Sequence, residues 1–99
     1  MVLKIYFQVM PRIRVKLFAN FREIARLKEK EFDGDSVRVV LKTLCEEFPA
    51  MKKMLFKGDD IAPFINVFLN GMDVLGSGGL DSTLQENDEI AIFPPVSGG

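Results

Sequence analysis

The 99 residues, 47% apolar and 27% charged, suffice for one domain with its own core and no internal repeat or low-complexity segment. Its 13 basic residues are interleaved with 14 acidic ones for a net charge of −1, which argues against nucleic acid or an anionic membrane as partner. Histidine is absent and Cys45 is the one cysteine, which excludes an internal disulfide and a histidine base, argues against a metal site built within one chain, and makes cytoplasmic residence the expectation.

Residues 1–9, M-V-L-K-I-Y-F-Q-V, are apolar and β-prone but lack the apolar core and cleavage site of a secretory signal. Two readings stay open for them: a dispensable extension ahead of an alternative start at Met10, or an extra edge strand or oligomer contact. Residues 12–18 alternate, with Arg12, Arg14 and Lys16 on one face and Ile13, Val15 and Leu17 on the other, as in a half-buried strand. Phe18 falls on the charged face by parity. Asn20 is placed to cap a short helix through about Leu27, with Ile24 and Leu27 on its apolar side. Residues 28–32 alternate in charge like an exposed edge strand, closed by Asp33-Gly34-Asp35.

Asp35 or Ser36 caps the main helix, which is expected to run to about Phe48 before Pro49. Val37, Val40, Leu41, Leu44 and Phe48 form its apolar stripe, while Arg38, Lys42 and Glu46 face away. Cys45 lies beside Leu41 and Leu44 and reads as a small buried hydrophobe. Residues 50–58 predict a further helical turn ending at Gly58, and residues 59–63 a connection. Residues 65–69 form a strand, Asn70-Gly71 signals a two-residue hairpin, and residues 72–75 are its partner. The loop Gly76-Ser77-Gly78-Gly79 lacks the lysine of a phosphate cradle and reads as a connector. Leu80 and Leu84 flank a short turn, and Asn87-Asp88 leads into the last strand. The order predicts an α+β fold with helices on one face of a mixed sheet.

Chemistry inside this frame is hard to find. The carboxylates, including Asp59-Asp60 and Asp81, read as solvated surface, and no serine has a histidine to activate it. Parity places Phe18, Phe68 and Phe93 together with charge on the open face of the sheet. Leaving one phenyl ring exposed forgoes roughly 1.5–3 kcal/mol, so a partner surface is the favoured reading; cover by helices or by residues 1–9 is the alternative.

The remaining candidate is the end of the sequence, E-I-A-I-F-P-P-V-S-G-G. Pro94 and Pro95 fix an extended stem that cannot continue a ladder, so Val96, Ser97, Gly98 and Gly99 are expected to leave the body as an arm. Gly98 and Gly99 lack side chains, so the arm suits a narrow channel. A terminal carboxylate ionises with a pKa of roughly 3.3–3.7 and is a competent nucleophile toward an activated phosphate. The expected division is 1–9 extension, 10–95 domain, 96–99 tail.

The segment D-E-I-A-I-F-P-P-V-S-G-G resembles the C-terminal signature of the molybdopterin synthase small subunit, a ubiquitin-like β-grasp sulfur carrier. V-K-L-F-A-N-F-R-E, V-F-L-N-G-M-D-V and L-Q-E-N-D-E-I extend the likeness over residues 12–99. The resemblance implies parallel first and last strands, with Phe18 beside Phe93 and Phe68 one strand further on. It implies that the Gly99 carboxylate is adenylated by a ubiquitin-activating-type enzyme using ATP in trans. A sulfur donor then makes it a thiocarboxylate, which passes sulfur to cyclic pyranopterin monophosphate in the large synthase subunit, in a heterotetramer. The chain itself would bind no cofactor and turn nothing over alone. Phe18 and Phe93 match the family's docking aromatics, and Met72 or Val74 is the nearest match for a further apolar contact, with Asp73 between them. Rival implications are a protein modifier joined through Gly99 to lysines, or a sulfur carrier for thiamine or tRNA thiolation.

Overall fold

The computed structural model describes residues 10–76 and 78–95. Residues 1–9 and the tail residues Val96, Ser97, Gly98 and Gly99, on which the extension and arm expectations fall, lie outside the described residues.

Alternation makes β1 (Arg12–Leu17) as expected: Ile13, Val15 and Leu17 are fully buried, and Arg12 and Arg14 are exposed. The following helix, α1 (Asn20–Ala25), departs from expectation at both ends. Ala19, not Asn20, holds the cap position, at φ 50 and ψ −123, where glycine is more at ease, and no side chain caps the helix. A hydrogen bond from the Phe21 N–H to the Phe18 carbonyl at 3.1 Å closes this turn. Arg26 then ends the helix in the left-handed conformation, so Leu27 falls past the last turn and stays exposed. The buried face is therefore Phe21 and Ala25, one turn apart, with Ile24 packed beside them.

β2 (Glu29–Asp33) is an edge strand that buries only Phe32. At Gly34 the chain passes so near the main helix that a Cβ would stand 2.6 Å from Val40 Cγ2. In α2 (Val37–Glu47) the cap is Ser36, whose Oγ accepts from the Val39 N–H at 3.2 Å. Val37, Val40, Leu41 and Leu44 form a fully buried stripe, and Cys45 is buried with them. Pro49 opens a 3-10 turn, Pro49–Met51, that leads into α3 (Lys52–Leu55).

Residues 56–63 correct the sequence reading. Phe56–Lys57 (β3) and Asp60–Ile61 (β4) pair antiparallel, where a helical turn and a connection are expected. Gly58, at φ 66, supplies the reversal. In the second hairpin, β5 (Asn66–Leu69) and β6 (Met72–Asp73), Asn70 and Gly71 both take the positive φ that a type I′ turn requires. β6 is shorter than expected because Val74 turns into the core within a 3-10 turn, Val74–Gly76. The last strand is β7 (Glu89–Phe93).

The strands lie in the order β2-β1-β7-β5-β6, with β1 and β7 parallel at the centre and the other pairs antiparallel. This is the ubiquitin-like β-grasp, in the α+β class expected. The inward residues of β1, β5 and β7 and the stripe of α2 share one core, and no described polar or charged side chain is buried in it. No helix among the described residues is long and apolar enough to cross a membrane.

Candidate functional site: an aromatic face at the root of the C-terminal segment

Leu17 and Ile92 are the last paired residues of β1 and β7 and point into the core. The next residues, Phe18 and Phe93, therefore emerge side by side on the opposite face, ring centroids 4.3 Å apart and planes 13° from parallel. Phe68 faces Ala91 across β5 and β7 and meets Phe93 edge-on, at 5.5 Å and 84°. The quadrupoles of the rings favour both arrangements. Arg22 adds what the sequence reading missed. Its guanidinium lies 5.4 Å from the Phe18 ring centroid, and its Nε donates to the Leu17 carbonyl at 3.1 Å. The available signal was an arginine one helical turn after Phe18.

The rings are thus half-buried, not fully exposed as parity suggests, because they cover one another. Each forgoes less burial than a solitary ring would. What remains open is the outer surface of a rigid cluster, with Pro94 and Pro95 directly after Phe93.

Met72 does not join this cluster. It pairs with Leu69, whose side chain belongs to the core side, whereas Asp73 pairs with Phe68 on the open side. Met72 is 63% exposed at the far edge of the sheet. Asp73 accepts a hydrogen bond from the Leu75 N–H at 2.9 Å and so starts the 3-10 turn. Val74 is buried, so neither apolar candidate from this hairpin lies beside Phe68.

Away from the rings, the same face carries ions. Arg14 meets Glu29 and Lys16 meets Glu89, both at 3.3 Å, and Arg12 lies 3.8 Å from both Glu31 and Asp33. Ala91, between Lys16 and Phe68, separates the charged part from the aromatic part.

Elsewhere among the described residues, Cys45, Arg38 and Asp81 have shifted pKa values with plain structural causes. Burial pushes the Cys45 thiol up to about 11, against a smaller opposing pull from Lys52, so at neutral pH it is a protonated core side chain. Asp59, Asp60 and Asp81 are exposed, as the reading of them as solvated surface expects. Arg38 gathers them, its Nε on Asp81 at 2.9 Å and its Nη1 on the Asp59 carbonyl. This hydrogen bond raises the arginine's pKa and lowers that of Asp81. No group of three potential metal ligands occurs among the described residues.

Comparison with known proteins gives this geometry its context. The model of the ThiS family matches residues 15–99. Small archaeal modifier protein 3 of Haloferax volcanii is 31% identical over 90 residues, covering 88% of this chain and 98% of that protein. The sulfur carrier protein CysO of Mycobacterium tuberculosis is 30% identical over 77 residues, covering 73% and 81%. Among solved structures, small archaeal modifier protein 1 of Methanosarcina acetivorans superposes with a TM-score of 0.83 at 41% identity, covering 91% of this chain and 98% of that one. A putative molybdopterin converting factor subunit 1 of Pyrococcus furiosus gives 0.68 at 27% identity, covering 87% and 99%.

Proposed function

This chain belongs to the ThiS family, and on that premise we propose that the Gly99 carboxylate is the group on which the chemistry is done. An adenylating enzyme of the ubiquitin-activating type joins AMP from ATP to that carboxylate and releases pyrophosphate. Sulfide displaces AMP to leave a thiocarboxylate directly. A persulfide donor displaces AMP to give an acyl disulfide, and a second thiol then attacks the donor's sulfur, releasing the thiocarboxylate and leaving the donor as a disulfide. ATP is consumed in the partner's site, in the cytoplasm, and this chain holds no cofactor of its own. The acceptor is cyclic pyranopterin monophosphate in the large subunit of molybdopterin synthase, which makes this chain the small, sulfur-donating subunit of a heterotetramer.

One observation carries the reading: the sequence F-P-P-V-S-G-G begins at the last residue of a strand, Phe93, which is clasped by Phe18 and Phe68 on the face of the sheet that no described helix covers. A rigid aromatic platform suits docking, because rings already packed lose little freedom when a partner covers them. Pro94 and Pro95 set the direction of departure, and Gly98 with Gly99 gives a narrow, side-chain-free end. The polar groups that catalyse transfer belong to the partner.

A second reading has its own support. The likeness to two small archaeal modifier proteins favours a modifier, in which the same adenylated Gly99 forms an isopeptide bond with a lysine of a target. The likeness to a sulfur carrier protein keeps other sulfur acceptors, such as thiamine precursors or tRNA, within the same chemistry. Two experiments separate these readings. Co-purification of the large subunit, with conversion of cyclic pyranopterin monophosphate by the pair, is expected for the molybdopterin role. Target lysines carrying a C-terminal peptide of this chain, joined through Gly99, in a digest of the native proteome, with no conversion by the pair, would replace it with the modifier.

A further inference from the structure

The largest apolar exposures among the described residues lie away from the aromatic face: Phe64 is 80% exposed and Leu75 is 69% exposed. Both line one groove of about 320 Å³, together with Ile61, Leu80, Arg38 and Asp60. Phe64 also holds φ at +69, a left-handed conformation that bulky residues rarely adopt. Neither local preference nor burial accounts for a strained backbone that leaves a phenyl ring in water. The surroundings are acidic: Asp81 pairs with the Arg38 guanidinium, and the charges of Asp59 and Asp60 act on it as well, so carboxylates outnumber the cation.

Position then narrows the occupant. Asn66 pairs with Phe93 at the end of the ladder, so Phe64 and Pro95, each two residues beyond that pair, leave the sheet at the same end, where the described residues stop. Gly99 stands four residues beyond Pro95, and four residues span at most about 14 Å. An enzyme that holds Gly99 in its active site must therefore lie against the rim of the molecule around Pro95, within reach of Phe64.

We propose that this groove receives an extended segment of the tail-activating enzyme, one that presents a large apolar side chain flanked by lysine or arginine. The inference rests on Gly99 being the activated group. Phe64 and Leu75 bury the apolar side chain, and Asp59 and Asp60 pair with the flanking cations. The groove thereby distinguishes the activating enzyme from partners that grip only the aromatic face.

The test is ATP–pyrophosphate exchange by the adenylating enzyme of the source organism, with the intact chain as varied substrate. The double substitution Phe64→Ser with Leu75→Ser is expected to raise KM for the chain about tenfold while kcat stays within about twofold, since docking and not chemistry is removed. Asp59→Lys with Asp60→Lys is expected to raise KM at low ionic strength and to lose that effect at high salt, which keeps the test open if the first variant folds poorly. An unchanged KM in both variants, or a fall in kcat alone, overturns the groove while leaving activation at Gly99 intact. No exchange with the unaltered chain overturns the Gly99 reading, and the groove with it.

Discussion

Ile92 and Phe93 are neighbours in one strand and belong to different economies. Ile92 is fully buried between the sheet and the helical layer. Phe93 stands on the opposite face, half-covered by Phe18 and Phe68. The inward residue holds the fold together, whereas the outward one is packed just enough to stay rigid. If the aromatic face is the docking surface proposed above, stability and recognition fall to alternate residues of the same strand, and a one-residue change of register would exchange them.

The sharpest test of this division is Ile92→Ala, expected to lower unfolding free energy by about 2–5 kcal/mol in urea titration through lost burial and the cavity left behind. A loss no larger than that of an exposed substitution would break the comparison on its inward side. Cys45 tests the same core by pH. Its folded-state pKa is raised from the model-compound 9.0 to about 11, so the folded state holds the proton more tightly than the unfolded one. Stability from this group is complete below about pH 9 and lost as pH rises toward 11, by on the order of 2 kcal/mol. Cys45→Ala should flatten that alkaline slope in denaturation measured between these limits.

Phe93→Ser removes the stack and the edge contact, worth about 0.5–1.5 kcal/mol for such pairs. It is expected to leave a cooperative fold while abolishing adenylation and large-subunit binding, as judged by exchange kinetics and calorimetry. Collapse of the fold would instead make Phe93 a core residue. The smallest effect belongs to the ionic part of the open face. Lys16→Ala, which removes the contact with Glu89, should change stability by only about 0–1 kcal/mol. Melting at low and high salt should show even this difference fading on screening.

The faces were legible because a strand repeats every second residue. Ile13, Val15 and Leu17, and again Ile90 and Ile92, announced the core by alternation, and Asn70-Gly71 announced its hairpin through the backbone angles such a turn demands. Pairing was not legible, since the parallel contact of β1 with β7 joins opposite ends of the chain. Parity could place Phe18, Phe68 and Phe93 on one face, but the stacking that half-buries them depends on strand order, which entered only through family resemblance. Met72, the nearest match for a further apolar contact, lies apart from them for a related reason: it pairs with Leu69, not Phe68, and the pairing that decides this is a property of both strands. Phe64 was within reach of the alternation that selected Phe68, but its left-handed backbone and its groove leave no trace in periodicity. The β3–β4 hairpin escaped because two-residue strands are too short to display any period.

The account turns on Gly99, and the most direct measurement is the intact mass of the chain after incubation with ATP, its adenylating enzyme, a persulfide donor and a thiol reductant. The account predicts replacement of one oxygen by sulfur, mapped to the C-terminal peptide and absent when Gly98 and Gly99 are deleted. An unchanged mass in a reaction where the same enzyme and donor thiolate a known carrier would contradict it.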